Sequence, residues 1–394
     1  MSTPTLSTVK ERTRKITRVV EFDYVTWTLN ALQLKLEQTG VNPTQLLSPL
    51  QQQVMVLRYF ELTRQLEEVQ TRIQFIFSDP TVKDPAKSAI SDLVLQRDLQ
   101  SSLKGLAPIA ESILEGQVSD VIVAMGIPRT GEVLPPVLFR TSPLPKALIV
   151  SPRDKIQQEI NLSLLADLSL EQMTVMERKV ESATHLSALV VDVGGIGVYP
   201  TMVMRSSNLK WVIEVIAHEW THNYLTLRPL GLHYEGSSEL RTMNETTASI
   251  AGKEIGSEVI RRYYPEYAVN EFGENQLAFQ SHDDPPFEFN VEMHQTRMRV
   301  DELLSQRKVD EAEQYMEKRR VFFVNHGYMI RRLNQAYFAF YGAYADQPGG
   351  ASGQDPVGPA VRALRTQSNS LTTFLRRISV MNSFEDLQAA VKLP

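Results

Sequence analysis

Apolar residues in the first 115 positions recur at helical intervals. Val25, Leu29, Leu32 and Leu36 step by four, three and four, and Met55, Tyr59, Leu62, Leu66 and Val69 repeat the rhythm. Such spacing gathers each set on one face of a helix. Pro80 and Pro85 bracket a break, and no strand-like run intervenes. Residues 1–115 therefore read as a helical N-terminal region. The pattern then shortens. Apolar, β-branched runs at 118–127, 137–140 and 147–150 are set off by prolines and glycines, which predicts strands. A helix is expected over about 153–183. Two more strands, 188–193 and 197–204, flank Gly194 and Gly195, which suggest a hairpin or bulge. From 208 onward helices return. One covers 209–227 and stops before Arg228-Pro229, because a residue preceding proline is disfavoured in a helix. Another covers 239–263, with Ser237 or Ser238 as its cap. Helices at 290–326 and 328–345 follow, then a Gly- and Pro-rich loop at 347–359 and two shorter helices. The expected fold class is α+β. A helical N-terminal region leads into a small, mostly antiparallel sheet packed on the 209–227 helix, and a helical C-terminal subdomain closes a cleft. The second domain then spans 116–394, its sheet and metal-motif helix at 116–227 and its helical part at 228–394.

Composition narrows the chemistry. The 394 residues are 42% apolar and 22% charged, as in ordinary globular chains. A net charge of −5 gives no reason to expect nucleic acid as a partner. There is no cysteine, so disulfides and thiolate ligands are excluded, and a metal site must use His, Asp or Glu. No run of eighteen apolar residues exists, so no transmembrane segment is expected. Lys10, Arg12, Arg14, Lys15 and Arg18 make the start basic. Two readings stay open there: a solvated helix start, or a juxtamembrane segment whose anchor lies outside the chain. A cytoplasmic location and a membrane-associated one are both compatible.

The 209–227 helix carries His218-Glu219-Trp220-Thr221-His222. Residues four apart differ by about 40° around a helix, so the two imidazoles project from one face, one turn apart. So placed, they can grip one Zn²⁺ at about 2.0–2.1 Å each. Glu219 lies about 100° round, where it can reach a water at the metal without binding the metal itself. Zinc lowers that water's pKa, and the carboxylate can take its proton. The run Val212, Ile213, Val215, Ile216 and Ala217 predicts a buried helix, in which uncompensated imidazoles would be costly.

A catalytic zinc needs a third protein ligand. Glu245 follows on the next long helix, and the small residues Ala248, Ser249, Ala251 and Gly252 would let that helix approach closely. Asn244 could orient it. His233, Glu235 and Glu239, on or near the connecting loop, are the competing third ligands.

His-Glu-x-x-His followed by an Asn-Glu helix resembles the gluzincin metallopeptidases, the group that includes thermolysin and the alanyl aminopeptidases. It is also similar to a family of bacterial predicted aminopeptidases, whose later Asn-rich motif would be Leu333-Asn334-Gln335-Ala336-Tyr337 here. The likeness covers about 185–345. It implies His218, His222 and Glu245 as zinc ligands and Glu219 as the base. It also implies an edge strand above the zinc helix that pairs with a peptide substrate, a part suited to Gly195–Thr201. The Gly-x-Met-x-Asn exopeptidase signature of the alanyl aminopeptidases is missing.

An oxyanion donor is expected from Tyr328, Arg331, Arg332, Asn334, Tyr337, Tyr341 or Tyr344. Tyr337 is the first choice and His326 the second. Arg319-Arg320 and Arg331-Arg332 read as salt-bridging pairs, and Asp283-Asp284-Pro285-Pro286 as a turn. The functional expectation is a zinc metallopeptidase acting on peptides or proteins. The alternatives are a zinc hydrolase of a non-peptide amide or ester, and a helical scaffold with a structural or vestigial metal.

Overall fold

The structure, a computed structural model, describes residues 6–39, 46–78, 84–128, 131–196, 198–268, 288–328, 330–342 and 356–391. Helices dominate. In chain order the longer ones are α1 (Leu6–Thr17), α2 (Tyr24–Thr39), α3 (Pro49–Ser78), α4 (Ile90–Ala124) and α5 (Leu170–Thr184). Then come α6 (Leu209–Thr226), α7 (Ser238–Tyr263), α8 (Phe289–Ser305), α9 (Val309–Asn325) and α10 (Gln335–Tyr341). Val357–Thr366, Leu371–Ile378 and Phe384–Val391 are α11, α12 and α13. Among the described residues, no helix is long and apolar enough to cross a membrane.

Six strands form two small sheets: β1 (Phe139–Thr141), β2 (Lys146–Ser151), β3 (Ile160–Leu164), β4 (Ser187–Val191), β5 (Gly195–Ile196) and β6 (Thr201–Val203). One sheet runs β3-β2-β4 and is wholly antiparallel. The other runs β1-β6-β5, with β1 parallel and β5 antiparallel to β6. The α+β class holds, with helices at both ends.

The expected stripe on α3 is buried at Tyr59, Leu62, Leu66 and Val69, where it meets α4. On α2 the expectation fails. Val25 and Leu29 are exposed at 69% and 63%, while Ala31 and Lys35 are buried. The run at 118–127 is not a strand. It ends α4, and Val118, Val121 and Ile122 are buried at helical spacing beneath it. β-branched side chains cost a helix only a few tenths of a kcal/mol each, roughly, and a buried face outweighs that. The boundary drawn at 115 therefore falls inside a continuous helix.

The 153–183 helix is also corrected. Ile160, Leu162 and Leu164 are buried on alternate positions and form β3. The helix begins only at Leu170, where Ser169 and Gln172 close a capping box. Strands β4 and β6 belong to different sheets, so Gly194 and Gly195 do not join them as a hairpin. The 290–326 helix breaks at Arg307, whose φ is +60°. Only 335–341 of the 328–345 helix is helical among the described residues, capped by Asn334. Tyr344 and the Asp283-Asp284 turn lie outside the described residues.

One large apolar cluster joins α3 and α4 to α6, α7 and the C-terminal helices through Leu66, Leu103, Ile122, Ile213, Ile216, Met243, Ile255 and Phe374. The long N-terminal helices thus share a core with the helix that carries the motif. The chain before them is fastened to the other sheet. Glu21 bridges Leu164, and Val9 packs with Leu148, Val150 and Val180.

Candidate metal centre

The histidine helix α6 starts at Asn208, whose side chain accepts from the Trp211 amide, and its buried face includes Val212, Ile213, Ile216 and Ala217. The glutamate helix α7 starts at Ser237, which accepts from the Leu240 amide. Glycine lets the two helices close on each other. A Cβ on Gly252 would stand 2.8 Å from the Glu214 carbonyl oxygen and 3.0 Å from His218 Cβ, and one on Gly256 would stand 2.7 Å from Glu214 Cγ. The small-residue expectation for this helix is met, and the approach carries Glu245 to the histidines.

His218, His222 and Glu245 converge. The two Nε2 atoms are 3.1 Å apart, and Glu245 Oε2 lies 3.4 Å from His222 Nε2 and 3.6 Å from His218 Nε2. Tetrahedral ligands about 2.0–2.2 Å from a zinc ion stand about 3.3–3.6 Å from one another, so this triangle has the dimensions of one face of such a shell. Glu245 Oε2 is buried and has no hydrogen-bond partner, which an adjacent cation would satisfy.

Each candidate ligand is held from behind. Asn244 Oδ1 lies 2.7 Å from His222 Nδ1, while its Nδ2 faces the Leu230 carbonyl oxygen at 3.5 Å. That amide orientation makes Nδ1 the protonated nitrogen and leaves Nε2 bare for a metal. Ser249 Oγ lies 3.5 Å from His218 Nδ1. The Tyr234 hydroxyl donates to Glu245 Oε1 at 2.5 Å, leaving Oε2 turned to the imidazoles.

The electrostatics favour a cation at this point. Burial opposes charge on His222, but the Glu245 and Glu219 carboxylates outweigh it and lift the imidazole to about 9. Burial would neutralise Glu245, yet the two imidazoles hold it well below the usual carboxylate range. Glu219 behaves differently. Burial pushes its carboxyl up, and the imidazoles only partly offset this. It is thus a better proton acceptor than an exposed glutamate.

Edge strand β5 runs directly over Glu219. A Cβ on Gly195 would stand 2.6 Å from Glu219 Oε1 and 2.8 Å from Val215 Cγ1, so only glycine allows this approach. Asn223, on the same helix, donates to Thr201 Oγ1 at 3.1 Å and ties β6 down.

The competing third ligands stand apart. His233 is exposed and turned to the Pro229 carbonyl oxygen at 2.9 Å, and Glu235 and Glu239 are exposed. Tyr337 does not join the cluster either. Its ring packs on Tyr341 at 4.5 Å, among Ala147, Ile149, Leu189 and Val191 of the antiparallel sheet. Asn334 caps α10 and donates to the Ala188 carbonyl oxygen, and Gln335 donates to that of Arg153, so this motif docks a helix on the sheet. His326 is exposed and turned to the Phe322 carbonyl oxygen, and Tyr328 stacks on Phe289. A tyrosine the structure does bring to the centre is Tyr234, described above. It has no local signal in the sequence, because it arrives through a turn whose path is set by tertiary packing.

The chain matches no protein-family model, and no curated protein or solved structure shows significant similarity to it.

Proposed function

We propose that this chain is a zinc-dependent peptidase of the gluzincin type. The observation that carries the reading is the triangle of His218 Nε2, His222 Nε2 and Glu245 Oε2, with buried Glu219 beside it under an edge strand. A bound zinc would polarise a scissile carbonyl and activate a water near neutral pH. The chain's own groups do the rest. Glu219 accepts the water's proton and returns it to the leaving amine. Asn244 keeps His222 in the ligating tautomer, and Tyr234 keeps Glu245 in place. Among the described residues, strand β5 ends the order β1-β6-β5, and an extended peptide backbone could lie along its outer edge.

The test is to purify the full chain without added metal and quantify zinc, then screen peptide pools for cleavage. About one zinc per chain is expected in the wild type and in Glu219→Gln. His218→Ala and Glu245→Ala should lose it. Glu219→Gln should cut the cleavage rate by roughly 10²–10⁴. No zinc uptake would sink the reading. Zinc uptake with cleavage only of non-peptide amides or esters would shift it to that substrate class.

A further inference from the structure

Strand β1 ends the order β1-β6-β5 among the described residues, yet its outer amides are not left bare. The Leu138 carbonyl oxygen accepts from the Thr201 amide at 2.8 Å, and the Ser142 amide donates to the Val203 carbonyl oxygen at 3.2 Å. The ladder to β6 therefore uses the even-numbered residues of this stretch, and the amides of Phe139 and Thr141 point the other way. Phe139 is buried, so its amide needs a partner inside the protein. Helix α4 supplies both partners. Glu115 Oε1 accepts from the Phe139 amide and Glu111 Oε1 from the Thr141 amide, each at 2.8 Å.

The match is one of lengths. Residues four apart on a helix stand about 6 Å apart along its axis, and residues two apart on a strand about 6.6 Å. Carboxylates at 111 and 115 thus meet amides at 141 and 139 in register, and α4 takes the place of a fourth strand. Two carboxylates side by side repel, and Lys35 of α2 answers both, 3.1 Å from Glu111 Oε2 and 2.8 Å from Glu115 Oε1. All three side chains are at most 12% exposed.

The far side of the same sheet lies on the candidate metal centre. Asn223 of α6 holds Thr201 of β6, and β5 crosses Glu219 at Gly195, where a Cβ would not fit. Strand β5 is itself held by a short pairing, Gly195 with Val203 and Ile196 with Met202. Two strand spacings, about 10 Å, separate β1 from β5, so a displacement of β1 has little room to dissipate before it reaches Gly195.

We propose that Glu111 and Glu115, held by Lys35, are positioning residues for the reaction: they fix the height of strand β5 over Glu219 and so align the base with the edge along which the substrate lies. The inference rests on the peptidase reading. It makes α2 and α4 part of the apparatus that sets the candidate centre.

The test separates side-chain length from charge in the full chain. Glu115→Asp and Glu111→Asp keep the carboxylate but shorten its reach by one methylene. Glu115→Gln and Glu111→Gln keep the length and an acceptor oxygen but remove the charge. Each is assayed on the peptide that the wild type cleaves fastest, well below its unfolding midpoint, with zinc content measured in parallel. A misplacement of about 1 Å can cost a reaction about a hundredfold. Each Asp variant should lower kcat by roughly ten- to a hundredfold and raise KM while keeping about one zinc per chain, and each Gln variant should recover most of the loss. A smaller folded population would lower the apparent kcat and leave KM where it was, so a fall in kcat alone overturns the proposal. Loss of zinc alongside the rate overturns it too. If the Asp variants do not fold, Lys35→Arg decides, because it keeps the charge but spreads the two carboxylates: a lower kcat with a higher KM supports the proposal, and wild-type constants overturn it. Absence of cleavage by the wild type removes the peptidase reading and this role with it, whereas cleavage that the Asp variants leave unchanged removes this proposal alone.

Discussion

At the residue scale, the centre depends as much on what stands behind the ligands as on the ligands. Asn244 and Tyr234 touch His222 and Glu245 on the sides away from the converging atoms. Partners of this kind hold a ligand's orientation and tautomer, and removing one costs about 10–100-fold in metal affinity. Asn244→Ala and Tyr234→Phe should each weaken zinc binding by about that factor in a chelator competition, with the fold intact. Unchanged affinity would show that the histidine helix alone sets the geometry. Gly195 makes a different demand. A methyl group there would overlap the Glu219 carboxylate. Gly195→Ala should therefore depress cleavage while zinc content stays at the wild-type level. Loss of both together would mean that the strand supports the ligands as well as the base.

At the element scale, α4 does more than pack. Glu111 and Glu115 accept from the backbone amides of Thr141 and Phe139, and both meet buried Lys35 at 3.1 and 2.8 Å. One cation faces two carboxylates. Burial raises Glu115 to about 7 although Lys35 pulls it down. The folded chain then binds this proton more tightly than the unfolded one between about pH 4.5 and 7. Stability is lost as pH rises through that window. Unfolding midpoints should fall across it, and Glu115→Gln should flatten the fall; an unaltered slope in the variant would rule out this source. The same helix shows where a sequence is legible. Histidines four apart on an apolar helix mark a cluster that could hold a metal, and the small residues after Glu245 announce a close helix pair. The run at 118–127 announces only burial, because a short apolar stretch looks alike in strand and helix. Lys35 and Glu111 carry no local sign that they will be buried together. Tyr337 sits in a donor-rich segment and four residues from Tyr341, which points toward the centre, and the contacts that place it on the sheet lie far away in sequence.

At the scale of the whole molecule, α3 and α4 share their apolar cluster with both helices of the candidate metal centre. A chain starting at residue 116 would lose Leu66, Leu103 and Ile113 from that cluster. It should neither unfold cooperatively nor retain zinc, which calorimetry and metal analysis would show; a folded, zinc-loaded fragment would contradict this. That cluster packs the glutamate helix against its neighbours through Met243, Ala251, Ile255 and Val259. Asn244 and Glu245 are consecutive on it, one serving the nitrogen behind His222 and the other facing the nitrogen in front. A roll that withdraws one key therefore withdraws the other. One short stretch of backbone thus carries both keys, and a displacement of α7 that breaks one contact is expected to break the other.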